Sequence, residues 1–331
     1  MNRSIALIQG FCLLLLASPL CGQTVPLNMP QLGRRLPVVE YALINRIPAS
    51  HLKQLPSAIP TYRYSAKPSD FPVEALQSLI DKSVFVGTNA LDLLSRQTNS
   101  ELSRDNIRLA TAHGLDFLII APSKGGIVLQ NQNRESNPPP DAVPSFEAIR
   151  QELLRYAQAF GISTNDMEMR EGALQPIRTE DKISRRGGAV KFIARRSVAF
   201  SRSISGHTLL ANGDKIELAL GVNGGLLRFD LNWPRMEAVS TNQLYALDQI
   251  MDEIKKGNVL GDQSNEYPPD GIAEITLKDI RIDYYAYSAR GIGSVSTNTD
   301  IFPVASLYAV FKSKSGKTTE GGLYAPVVRL R

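Results

Sequence analysis

The chain has 331 residues, with 37 Lys or Arg against 32 Asp or Glu, a net charge of +5 and a pI near 9.1. Two cysteines and three histidines are too few for a Cys-based zinc site or a disulfide framework. The basic residues are spread out in pairs such as Arg34-Arg35, Arg185-Arg186 and Arg195-Arg196 without interleaved aromatics. That pattern reads as a solvated face rather than a nucleic-acid surface, with at most a weak attraction to anionic lipid or wall polymer.

Residues 1–22 have the layout of a secretory signal peptide. Arg3 makes the n-region positive, residues 5–17 are almost continuously apolar, Pro19 breaks the helix, and Leu20-Cys21-Gly22 offers a small residue for cleavage. The apolar run is shorter than the roughly 20 residues that span a bilayer, and no later stretch approaches that length. The expectation is a secreted or periplasmic protein with no transmembrane segment in the mature chain. Ser18-Pro19-Leu20 is a poor lipobox ahead of Cys21, which favours a soluble product over a lipid-anchored one. Cys12 leaves with the signal, so the mature chain can form no internal disulfide. The mature region also lacks an Asn-x-Ser/Thr sequon.

Residues 23–60 are rich in proline and read as an extended lead-in. A first α+β module is expected over 61–136. Its helix starts near Asp70 and Pro72 and carries Val73, Leu76, Leu79 and Ile80 on one face. Strands at 115–120 and 126–130 follow, joined by a turn at 122–125. The proline run at 137–140 marks a linker over 137–143. A second module, 144–236, opens with a helix capped by Ser145, lined by Ile149, Leu153, Leu154, Ala157 and Phe160 and stopped by Gly161. The period then changes to two, with strands at 190–195, 197–203, 216–220 and 226–232 and Asn-Gly turns at Asn212-Gly213 and Asn223-Gly224. A third module, 237–331, starts with a helix opened by Ser240 and Thr241 and faced by Leu244, Leu247, Ile250, Met251 and Ile254. Strands at 273–277, 278–287, 304–312 and 323–329 complete it. The expected fold class is α+β, built from tandem helix-on-antiparallel-sheet modules.

Some residues within this pattern look familiar. Phe200-Ser201-Arg202-Ser203-Ile204-Ser205-Gly206, then Gly224-Gly225-Leu226-Leu227 and Leu231-Asn232-Trp233-Pro234-Arg235, resemble the hairpins of PepSY-like domains and secreted-protease propeptides. Ile280-Arg281-Ile282-Asp283-Tyr284-Tyr285, the segment 302–311 and Tyr324-Ala325-Pro326 are similar to the closing strands of the same group. The resemblance covers about 144–331, and more faintly 62–130. Pro234, which splits the usual Trp-Arg pair, departs from it. It implies a cystatin-like α+β module, tandemly repeated and used for binding or inhibition in the cell envelope.

Chemistry-bearing patterns are scarce. His51, His113 and His207 lack metal-ligand spacing, and no Gly-x-Ser-x-Gly occurs. Ser123-Lys124-Gly125-Gly126 and Ser184-Arg185-Arg186-Gly187-Gly188 read as turns, because a phosphate loop needs Gly-Lys-Ser/Thr opening a helix. Carboxylates such as Asp166, Glu168, Glu171, Asp279 and Asp283 read as solvated, and the polar loop 262–270 lacks the spacing of a calcium loop. Neither a cofactor nor a metal site nor a catalytic residue is assigned. Trp233, the single tryptophan, and the alternating Tyr284, Tyr285 and Tyr287 are the candidates for partner contact. The expected function is an exported, non-enzymatic binding or regulatory protein whose partner is a protease, an envelope protein or a wall component. Two alternatives stand beside it: a carboxylate-dependent hydrolase of envelope polymer, and a structural envelope component.

Overall fold

The computed structural model describes residues 41–65, 67, 69–95, 107–111, 115–132, 142–168, 179–185, 188–210, 214–261, 271–286 and 300–328. Residues 1–22, read above as a signal peptide, both cysteines and the 137–140 proline run lie outside them.

In chain order the elements are β1 (Ala42–Asn45), α1 (Ala49–Leu52), β2 (Ala58–Tyr64), α2 (Val73–Asp81), α3 (Ala90–Ser95), β3 (Ile107–Ala110), β4 (Phe117–Ala121) and β5 (Gly126–Gln130). Then come α4 (Phe146–Ala159), β6 (Met167–Glu168), β7 (Thr179–Arg185), β8 (Gly188–Ile204), β9 (His207–Leu210), β10 (Lys215–Leu220), β11 (Leu226–Asn232) and β12 (Met236–Gln243). Finally there are α5 (Leu247–Lys255), β13 (Leu260–Gly261), β14 (Ile272–Ala286), β15 (Asp300–Ser313) and β16 (Thr318–Pro326).

Period-two alternation builds the first half of the sheet, in the order β3-β4-β5-β11-β10-β8 with every pair antiparallel. Leu118 and Ile120, Ile127 and Leu129, Phe229 and Leu231, Ile216 and Leu218, and Val198 and Phe200 all point to one face, where α2, α3 and α4 cover them. The helices bring Leu76, Leu79 and Ile80, then Leu93, then Ile149, Leu153 and Tyr156. Ser145 Oγ accepts the Ala148 N–H at 3.2 Å to start α4, and Gly161, at φ +72°, ends it.

The second half is organised on the β14–β15 hairpin, paired from Ile272↔Ser313 to Ala286↔Ile301. β16 lies along the outer edge of β15, and β2 pairs with the first residues of the same strand. β1 and β9 pair with β14 in parallel. Among the described residues β12 pairs only with β2, so it ends the described sheet.

β9 joins the halves. It leaves β8 through a tight turn with positive φ at Ser205 and Gly206, then pairs with β14 at Tyr284 and Tyr285. All sixteen strands thereby belong to one mixed sheet.

This corrects the tandem helix-on-sheet expectation. β5 pairs with β11 across the proposed linker, so strands assigned to separate modules share one sheet and one core. Non-local pairing of this kind leaves no local trace in periodicity. Part of the proline-rich lead-in is also paired, as β1 and β2. Ser240 and Thr241 belong to β12 rather than to a helix start. α5 begins at Leu247, where the Ala246 N–H donates to Gln249 Oε1 at 2.9 Å. Pairing with β2 outweighs the helix-start signal of two hydroxyl residues.

Phe229 has no exposed surface, and its ring meets Tyr156 at 5.2 Å and Phe160 at 5.6 Å. Phe229→Ala should cost about 3–5 kcal/mol, measured by urea denaturation, because the sheet beneath and α4 above limit collapse of the cavity.

Candidate functional site

Residues 233–235 connect β11 to β12 and carry the chain from the helix-covered half of the sheet to the other. Each of the three is tied down. The Trp233 N–H donates to Gly125 O at 2.8 Å, and Arg235 O accepts the Ser65 N–H at 2.9 Å. Gly125, which ends the 3-10 turn Pro122–Lys124 between β4 and β5 at φ +59°, lets the connection pass close by, since a Cβ there would lie 2.5 Å from Pro234 Cα. Arg235 Nη2 donates to Asp70 Oδ2 at 2.7 Å, so Asp70 is committed to this ion pair and gives α2 no side-chain cap.

Beneath the connection lies Arg202, at the end of β8. Its Nη1 donates to Pro234 O at 2.6 Å, and its guanidinium sits 4.9 Å from the Trp233 ring centroid. The same Nη1 reaches Asp214 Oδ2 at 3.5 Å, a long contact between side chains that are only 9% and 1% exposed. Asp214 Oδ2 also accepts the Tyr64 hydroxyl at 2.9 Å, and Asp214 O accepts the Arg202 N–H at 3.0 Å. Arg202 Nε and Asp214 Oδ1 are buried without hydrogen-bond partners among the described residues. Burial pushes the Asp214 carboxyl up to about 6, against the opposing pull of Arg202 and Tyr64. Burial, and then the neighbouring carboxylate, push the Tyr64 phenol well above its ordinary value.

Around this cluster opens a cleft of about 560 Å³. Phe71, Phe160 and Trp233 supply aromatic surface, with the two phenylalanines edge to face at 6.3 Å. Lys67, Arg202 and Arg235 bring positive charge, and Asp70, Asp166 and Glu237 bring negative charge. Glu237 Oε1 accepts the Ser65 hydroxyl at 2.6 Å. The cleft runs into the first residues of β12, since Met236 and Glu237 line it and begin that edge strand. Asp214, the carboxyl with the raised pKa, is not among the lining residues.

The candidate contact residues fall in different places. Trp233 is half-buried on the cleft. Tyr284 and Tyr285 are buried and offer a partner no surface: the Tyr284 hydroxyl donates to Pro60 O at 3.0 Å, and the Tyr285 ring packs on Phe302 at 5.6 Å. The alternation expected to turn one tyrosine outward fails because both faces of β14 are covered here. Tyr287 lies outside the described residues, as do His113, Glu171 and the loop 262–270. His207 Nδ1 lies 2.9 Å from Ile282 O beside Tyr284, and His51 pairs with Asp279 at 2.7 Å. Asp283 is buried against Arg281, at 2.8 Å. Among the described residues no group of three or more His, Cys, Asp or Glu could hold a metal ion. No helix among them is long and apolar enough to cross a membrane.

No family model and no curated protein matches the chain. A crystal structure of an uncharacterized protein from Eubacterium rectale is similar to it over 88% of this chain and 92% of that one, at 12% identity and a TM-score of 0.38. That likeness assigns neither a fold nor a function. Nothing in these comparisons indicates an enzymatic activity.

Sequence reasoning singled out Trp233 but missed Arg202, Asp214, Tyr64 and Phe71. Arg202 and Asp214 carried weak signals, the first as a charge sharing its strand face with Phe200 and Ile204 and the second as the last residue of an Asn-Gly-Asp turn. Tyr64 carried none.

Two outcomes follow from this geometry. Gly125→Ala should destabilise the chain by about 1–3 kcal/mol in urea denaturation, because the added Cβ meets backbone that cannot move aside and the residue keeps a positive φ. Asp214 has a folded pKa of about 6, above its ordinary 3.8, so its contribution to stability is fully present below about pH 3.8 and is lost as pH rises through 6. The difference corresponds to the order of 3 kcal/mol. Denaturation at a series of pH values should show Asp214→Asn gaining on the wild type by that order between about pH 4 and 7, on top of a constant offset from the altered Arg202 contact.

Proposed function

We propose that this chain is a non-catalytic binding protein that takes an extended segment of a partner protein along the free edge of β12, with a side chain of that segment seated in the Trp233 cleft. One observation carries the reading: the aromatic cleft is continuous with a strand edge that no described residue pairs. Such an edge offers main-chain donors and acceptors to an extended chain, and a pocket beside it selects a side chain.

β12 has the features of a usable edge. Ala238, Val239, Ser240 and Thr241 are all exposed, and from Met236 to Gln243 the strand holds no Lys, Arg or Pro and a single Glu. Ser65 bonds Arg235 O and the Leu244 N–H bonds Ser57 O, so ladder alternation turns the main-chain groups of Met236, Ala238, Thr241 and Gln243 away from β2. The bulge at Val239 shifts this outward set by one residue midway along. The leader-like residues 1–22 support a partner met after export, such as a secreted or periplasmic protease or another envelope protein. A main-chain edge favours a polypeptide over a wall polymer.

Thr241→Pro removes an outward N–H without touching a bond to β2, and proline is tolerated on a strand edge. Unstructured decapeptides selected for binding to the wild-type chain should lose at least about tenfold in affinity to this variant and to Trp233→Ala. Isothermal titration calorimetry supplies the readout for the wild type and both variants, since Trp233→Ala removes the single tryptophan. Selected peptides that bind both variants as well as the wild type would sink the reading. Release of fragments from wall polymer by the purified protein would put the hydrolase in its place.

A further inference from the structure

We propose that Arg202, Asp214 and Tyr64 form a proton-operated latch on the cleft: ionised Asp214 holds Arg202 under Trp233 and against the Pro234 carbonyl, and protonated Asp214 releases it into the cleft that it lines.

Arg202 is shared between an interior partner and the cleft wall. Its guanidinium holds one carboxylate, one main-chain carbonyl and one indole face, and its Nε holds nothing. Among the described residues, Asp214 is the carboxylate in contact with it. The groups acting on Asp214 are Tyr64 from β2 and Arg202 from β8. Of the cleft's other charges, Asp70 pairs with Arg235, Glu237 accepts from Ser65, and Asp166 and Lys67 line the cleft.

A fully buried carboxylate with one oxygen unpartnered has a place to take a proton, at Oδ1. Once neutral, it leaves Arg202 as a buried cation with no counter-charge, an arrangement that interiors tolerate poorly. The guanidinium has a route out, because Arg202 lines the cleft. Leaving breaks its stack on Trp233 and its bond to Pro234 O. The Gly125 and Ser65 bonds to residues 233 and 235 remain, so the connection loosens without the sheet coming apart. The value of about 6 for Asp214 places the change within a physiological pH range.

The latch is a property of the free protein. What it admits to the cleft rests on the peptide-binding reading above, so the two are tested separately. Emission of Trp233, the single tryptophan, is followed from about pH 4 to 8 in the full chain without ligand, with far-UV circular dichroism to confirm that the fold is kept. The wild type should show one transition with a midpoint near 6. Asp214→Asn should abolish it. Tyr64→Phe, which deletes a hydrogen bond that favours the ionised form, should move the midpoint upward by about one pH unit and keeps the test open if the first variant does not fold. A flat wild-type profile across this range would overturn the latch, as would a transition left unchanged by both substitutions. The selected peptides, titrated at either end of the transition, should differ in affinity by at least about tenfold, and equal affinities would overturn gating. Failure to select any binding peptide at either pH would remove the functional reading while the emission transition still supported the latch.

Discussion

A guanidinium with nine-tenths of its surface buried must find partners, and Arg202 finds them on segments far apart in the chain. The Pro234 carbonyl belongs to the connection between β11 and β12, Asp214 precedes β10, and the Tyr64 hydroxyl behind Asp214 ends β2. β8, which carries Arg202, belongs to the helix-covered half of the sheet, whereas β2 belongs to the half built on β14 and β15. One cation therefore links the place where the chain passes between the halves to the strands that flank it. A buried ion pair is weak evidence for stability, since desolvation offsets most of the attraction. The long 3.5 Å contact and the unpartnered Nε and Oδ1 put this one on the poorly compensated side. What it supplies is position. Arg202 sets where Trp233 and Pro234 lie, and so sets the shape of the cleft.

The two halves of the sheet solve the problem of burial differently. In the first, one face is packed under α2, α3 and α4, and period-two alternation sorts side chains to that face. In the second, the long β14–β15 hairpin is buried along most of its length on both faces, so its strands read as nearly continuous apolar runs with few outward positions. That difference explains why two adjacent tyrosines on β14 are both inside. Continuity between the halves depends on β9, whose tight turn from β8 brings it into parallel register with β14.

Local order was legible in the residues, and long-range order was not. The α4 helix, with Ser145 at one end and Gly161 at the other, follows from capping chemistry and a 3.6-residue period, and the β4–β5 and β10–β11 hairpins follow from alternation around turn residues. The pairings β5 with β11, β2 with β12, and β9 with β14 join segments separated by tens to hundreds of residues, and nothing local encodes them. Reading each helix with its nearest strands as a unit produced three modules where the strands make one sheet. The same limit applies to the site. A lone tryptophan at a strand end is conspicuous by composition, whereas Arg202, Asp214 and Tyr64 become a cluster only after β2 and β8 are brought together.

The bulge at Val239 bears on how the sheet edge is used. A bulge bends an edge strand and interrupts its ladder, which is one way that proteins keep such edges from pairing indiscriminately. Here it divides β12 into two short outward-facing stretches, one at Met236 and Ala238 beside the cleft and the other at Thr241 and Gln243 beyond it. A flat strand pairing along its whole length would meet the bend and lose bonds on one side of it. A segment that places a side chain in the cleft is already in register with the first stretch, and the contact with Trp233 compensates for a shorter ladder. In the binding reading proposed above, edge and cleft constrain each other: the bulge makes main-chain pairing alone too weak, and the pocket makes it selective.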